Sequence, residues 1–64
     1  PEDNFSLIAG YWSVYLGKSI EPKDVGLMMT LFKIAREQTA QIPKADNYID
    51  AIGYLSCAGE ITLP

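Results

Sequence analysis

Two proline-containing breaks, Gly17-Lys18-Ser19-Ile20-Glu21-Pro22 and Ile42-Pro43, cut the 64-residue chain into three blocks of helical length, and no other feature constrains the fold as much. Proline suits the first helical position, where its missing N–H is not needed, so Pro22 opens a helix with Asp24 in the favourable first turn. The residue before a proline is driven out of helical geometry, so Ile42-Pro43 closes one. In the first block Phe5, Ile8, Trp12 and Tyr15 recur at spacings of three and four, and Leu7, Tyr11 and Val14 widen that stripe. Gly17 is placed as the C-terminal stop, and Lys18 puts a cation near the negative end of the helix dipole. Outside the last few residues nothing alternates with the period of two that a strand requires. The expected class is therefore all-α: three helices over about 4–16, 22–41 and 45–59, preceded by a polar entry, Pro1-Glu2-Asp3-Asn4, and followed by an extended tail. The two short links favour antiparallel neighbours.

The second block is apolar around more than half of its circumference. Val25, Met28, Met29, Phe32 and Ala35 share one face, Leu27, Leu31 and Ile34 a neighbouring one, so this helix is expected to contact partners on two sides. Chain length adds a second pressure. A domain this small buries only about 60 % of the surface its unfolded chain exposes, which leaves a solitary core marginal. With 48 % apolar residues, Trp12, four tyrosines and two phenylalanines, there are more large side chains than three helices can hide. Completion of the fold by homo-oligomerisation is the expected remedy, with Tyr11, Trp12, Tyr15, Tyr48 and Tyr54 as core and interface anchors.

Eight acidic and five basic residues give a net charge of −3, and the basic residues are scattered rather than gathered into the stripe that duplex nucleic acid demands. Cys57 is the single cysteine and histidine is absent, which excludes an intrachain disulfide, a Cys/His zinc site and Ser-His-Asp catalysis, and points to a reducing compartment. No long apolar run or basic-then-apolar leader suggests membrane spanning or secretion. The first residue is not methionine, so part of the natural N-terminus is expected to lie outside this sequence.

The third block holds the polar groups that call for an explanation. On a helix, Asp46, Asp50, Gly53, Cys57 and Glu60 form one stripe beside the apolar flank of Tyr48, Ile49, Ile52, Leu55 and Ser56. Asp46 and Asp50, one turn apart, could ligate a hard cation such as Mg2+. Alternatively Asp46 begins the helix and Asp50, at the edge of the core, takes Lys33 or Arg36 of the second helix as its partner. Lys33 and Arg36 could also meet a phosphate while Tyr48 and Tyr54 stack on a base; the competing reading is a solvated face beside core aromatics. Lys33 and Glu37 have the spacing of a weak surface pair. Gly10, Gly26 and Gly53 each interrupt a helix at a cost of up to about 1 kcal/mol, as close crossings would require, and Gly53 is the expected point of closest approach.

The segments Pro1-Glu2-Asp3-Asn4-Phe5, Trp12-Ser13, Tyr15-Leu16-Gly17, Leu27-Met28-Met29, Lys33-Ile34-Ala35-Arg36 and Asp46-Asn47-Tyr48-Ile49-Asp50-Ala51-Ile52-Gly53-Tyr54 resemble those of small phage and prophage proteins of uncharacterised function, over nearly the whole chain. The Asp50 to Tyr54 turn is also similar to the last motif of MazG-like all-α nucleoside triphosphate pyrophosphatases. That second resemblance implies magnesium held by carboxylates from two helices, with Asp50 and Asp46 standing for one motif. Asp46 and Asp50 are, however, four apart where that motif has three, and the second helix offers Lys33 and Arg36 where it needs acids.

The resulting expectation is a phage-type helical homo-oligomer in the host cytoplasm that binds a nucleotide or a host protein around Lys33, Arg36, Asp46, Asp50 and Tyr54. The alternatives are magnesium-dependent nucleotide hydrolysis through Asp46 and Asp50, and a purely structural assembly role.

Overall fold

The computed structural model describes residues 2–64, so Pro1 of the polar entry lies outside the described residues. Three helices form, α1 (Glu2–Leu16), α2 (Pro22–Thr39) and α3 (Ala45–Thr62), with no strand among the described residues. Both breaks act as the sequence implies. Gly17 adopts φ 68°, the left-handed conformation that reverses the chain, and its amide and that of Lys18 both donate to the Ser13 carbonyl. Pro22 opens α2, and the Asp24 carboxylate accepts the Glu21 amide at 2.9 Å. The elements differ from expectation at three ends. α1 begins at Glu2, so that most of the polar entry is already helical. α2 stops at Thr39, where the Ala40 amide turns back to the Glu37 carbonyl at 3.3 Å. α3 runs through Gly59 to Thr62, because Gly59 keeps helical geometry and its carbonyl accepts the Leu63 amide at 2.8 Å.

α2 and α3 lie side by side and antiparallel along their whole length. Gly26 is opposite Ala58, Thr30 opposite Ala51, and Lys33 opposite Asp50. α1 crosses only the first half of α2, tied there by Ser13, whose Oγ accepts the Ile20 amide at 2.8 Å and donates to the Ala9 carbonyl at 2.7 Å. The core sits at this three-helix junction. Phe5, Ala9 and Val25 are buried there, with Ile8, Trp12, Met29, Tyr54 and Ile61 packed around them.

Gly26 marks the crossing. A β-carbon at that position would lie 2.8 Å from Ala58 Cβ, 2.9 Å from the Tyr54 carbonyl oxygen and 3.2 Å from the Phe5 ring. The expectation for Gly53 is overturned, since nothing lies within 4 Å of a β-carbon built there. Gly53 faces the side of α3 away from α2, whereas Gly26 sits where α1 and α3 converge on the same face of α2.

Three helices in one layer make a flat molecule, 35 × 29 × 14 Å in extent. Its radius of gyration of 12.6 Å exceeds the roughly 10.7 Å of a compact chain of this length. The exposed surface is 4870 Å², whereas a compact 7.1 kDa monomer exposes about 4,100 Å². The second face expected on α2 has no cover: Leu27, Leu31 and Ile34 are all exposed.

Candidate functional site

Beyond the three-helix junction, α2 and α3 are held together by a short polar ladder. Lys33 Nζ meets Asp50 Oδ2 at 2.8 Å; the lysine side chain is 14 % exposed and the aspartate 43 %. One turn further, Arg36 Nε donates to Asn47 Oδ1 at 3.3 Å, while Asn47 Nδ2 donates to Glu37 Oε1 at 3.0 Å. The same Glu37 oxygen accepts the Lys44 amide at 3.1 Å, which anchors the α2–α3 link. Asn47 is buried, 5 % exposed, so both ends of its amide must be satisfied, and Arg36 and Glu37 do so.

Electrostatics follow these bonds. The donation from Asn47, then that of the Lys44 amide, stabilises the Glu37 carboxylate and holds its pKa below the ordinary 4.5. The Tyr48 hydroxyl, next to the same carboxylate and its charge, gives up its proton less readily, and its pKa lies above 10.0. The exposed Phe32 ring carries two cations, with Arg36 Cζ 5.7 Å and Lys33 Nζ 6.0 Å from its centroid.

Of the residues singled out in the sequence, Lys33 and Asp50 do pair. Arg36 goes to Asn47 instead. The spacing that suggested a Lys33–Glu37 pair is not used, because Glu37 turns to Asn47 and the link. Asp46 is exposed at the start of α3. Tyr54 lies apart from this cluster, packed against Phe5 with ring centroids 6.4 Å apart, on the α1 side of α3. Asn47 is the position that sequence reasoning missed, and Glu37, read there as a surface partner of Lys33, bonds to Asn47 and the Lys44 amide instead. The available signal was Asn47 itself, a polar residue on the same helical stripe as Ala51, Tyr54 and Ala58 and therefore facing α2.

The donor set does not fit a magnesium ion. Asp50 already has Lys33 within ion-pair distance, α2 supplies cations at the facing positions, and among the described residues no three His, Cys, Asp or Glu side chains gather.

On the side of the α2–α3 pair that α1 leaves free, an apolar groove runs the length of the two helices. At one end Ile34, Tyr48 and Ile52 border a depression of about 340 Å³ next to the polar ladder. At the other, Leu27 and Leu55 border a second depression above Ala58 and Gly59. Leu31, 65 % exposed, and Ile52, 69 % exposed, stand between the two.

The sequence profile of the family described as "Domain of unknown function (DUF6378)" matches residues 1–62. The chain belongs to this family. The DUF6378 chain is also 39 % identical over 61 residues to the gene 55 protein of Mycobacterium phage D29, a match covering 95 % of this chain and 40 % of that protein. It thus spans about two fifths of the length of that relative. No solved structure matches. The resemblance to phage proteins of uncharacterised function is thereby established for the DUF6378 chain, whereas the likeness to MazG-like enzymes stands on the short Asp50 to Tyr54 turn alone. No helix of the described residues is long and apolar enough to cross a membrane.

Proposed function

We propose that this DUF6378 domain is a non-catalytic binding module that works through the apolar face of α2 and α3, and that the polar ladder beside that face is its structural brace. The observation that carries the reading is the flat architecture. Leu27, Leu31 and Ile34 of α2 and Tyr48, Ile52 and Leu55 of α3 are all exposed on one side of a helix pair. Contiguous apolar faces of this extent are interaction surfaces in soluble proteins. The ladder, in contrast, has its partners within the chain, and among the described residues no buried side-chain polar atom lacks one.

The test is the double variant Leu31→Glu/Ile52→Glu. Both side chains point to solvent, so the variant is expected to keep its helical circular dichroism and cooperative melting while losing association with itself and with host proteins added to it. A variant that associates as the native chain does would refute the reading.

Nucleotide binding at the same groove is a second reading, favoured by one observation. The depression beside Tyr48 and Lys33 has about the 340 Å³ of a small ligand site and places an aromatic ring next to a cation. A thermal-shift screen of nucleotides with and without magnesium tests it. Saturation at about 100 times the dissociation constant adds roughly 2.7 kcal/mol, a shift of many degrees in a domain this small. No shift across the panel leaves the protein-binding reading ahead.

A further inference from the structure

The proposal that the α2–α3 face is a protein-binding surface leaves its occupant open, and three features of the molecule point to the same one. We infer that the face is covered by a second copy of this chain, the two α2–α3 pairs packing face to face into a closed two-layer assembly; this rests on the reading of the face as a binding surface.

The first feature is area. The surface in excess of a compact monomer, 4870 Å² against about 4,100 Å², is about 800 Å² over the whole molecule. The share each partner contributes to a stable interface of standard size is of the same order.

The second is charge. Two cations, Lys23 and Lys33, and two anions, Asp24 and Glu37, line the groove. Lys33 and Glu37 are already engaged within the chain, by Asp50 and by Asn47 with the Lys44 amide. Lys23 and Asp24 remain at one end of the groove as opposite charges that a two-fold axis can pair between copies.

The third is shape. A groove between two antiparallel helices accepts the ridges of a like pair, whereas the exposed apolar stripe of Leu7, Tyr11 and Val14 on α1 is the convex back of a single helix. The α2–α3 face is also the one whose burial would enlarge the core most. Among the described residues only Phe5, Ala9, Val25 and Ala58 are buried apolar residues, and two of them are alanines.

Sedimentation equilibrium between about 1 and 100 µM, combined with isotope-filtered NOE spectra on a mixture of labelled and unlabelled chain, tests the inference in solution. The expected result is twice the chain mass, with intermolecular NOEs from the methyl groups of Leu31, Ile52 and Leu55. Leu31→Glu is expected to raise the dissociation constant by roughly 100-fold or more, since each copy would bury an unpaired charge. Val14→Glu, on the back of α1, is expected to leave the mass unchanged. A monomer whose face methyls are bleached by a soluble paramagnetic agent overturns the second copy but keeps the face available for a different protein. A monomer whose face methyls are protected from that agent, or a dimer whose NOEs come from Leu7 and Val14, overturns both this inference and the functional reading beneath it.

Discussion

Replacing Gly26 with alanine sets two opposing effects of known size against each other. In an isolated helix the change is favourable by up to about 1 kcal/mol, because alanine surrenders less backbone freedom. In this molecule the added methyl would stand 2.8 Å from Ala58 Cβ and 2.9 Å from the Tyr54 carbonyl oxygen, with the Phe5 ring at 3.2 Å. The ring can yield by a few tenths of an ångström. The other two atoms belong to the frame of α3 and move only if the helix moves. Overpacking of that kind costs about 1–3 kcal/mol, and the rigidity of two of the three neighbours places Gly26→Ala in the upper part of that range. After the propensity gain is subtracted, the net loss is about 1–2 kcal/mol, a fall in melting temperature of roughly 4–16 °C for a domain of this length. The same substitution at Gly53, where no atom lies within 4 Å, meets only the favourable effect and is expected to raise stability by about 0.5–1 kcal/mol. Urea titrations followed by circular dichroism, with all chains at one concentration so that self-association is held constant, provide the measurement. If Gly26→Ala proves as stable as Gly53→Ala, the three helices do not cross at Gly26 and the packing described above is wrong.

Asn47→Ala removes the buried amide between Arg36 and Glu37, and is expected to cost about 1–3 kcal/mol in the same titration; a loss under about 0.5 kcal/mol would mean that water replaces it freely. Ser13→Ala leaves the Ile20 amide without its 2.8 Å acceptor and should destabilise by about 1–2 kcal/mol, with faster hydrogen exchange at Ile20 as the local readout; unchanged exchange would show that the α1–α2 link is held by other means. The Glu37 carboxyl has its pKa lowered by folding, so its contribution is fully present above the unfolded value near 4.5 and is lost as pH falls through the folded value. Glu37→Gln should therefore flatten the loss of stability as pH falls below the unfolded value near 4.5, and let the Tyr48 pKa fall back toward 10.0; parallel pH profiles for the two chains would show that Glu37 contributes nothing to it.

Much of this molecule is written locally. Three helices, the turn at Gly17 and the start at Pro22 follow from apolar spacing and from two residue types with unusual backbones, glycine for its freedom and proline for its restriction, and these act over a few residues without reference to the rest of the chain. The opposition of Lys33 and Asp50 was also legible as one of two choices for Asp50, since a carboxylate at the edge of a core needs a cation and the second helix offered two. Tertiary structure decided what local pattern left degenerate. Gly10, Gly26 and Gly53 are equivalent within their helices, and only the angle at which α1 and α3 meet α2 makes Gly26 the crossing and leaves the other two in open space. Arg36 and Lys33 competed for Asp50, and the register of the α2–α3 pair gave it to Lys33 and gave Asn47 to Arg36. The uncovered apolar face was half visible, as a second helix too apolar for one neighbour. That α1 and α3 both fall away from Leu27, Leu31 and Ile34 depends on contacts between residues distant in sequence, whose geometry is set by side-chain packing and not by helical periodicity.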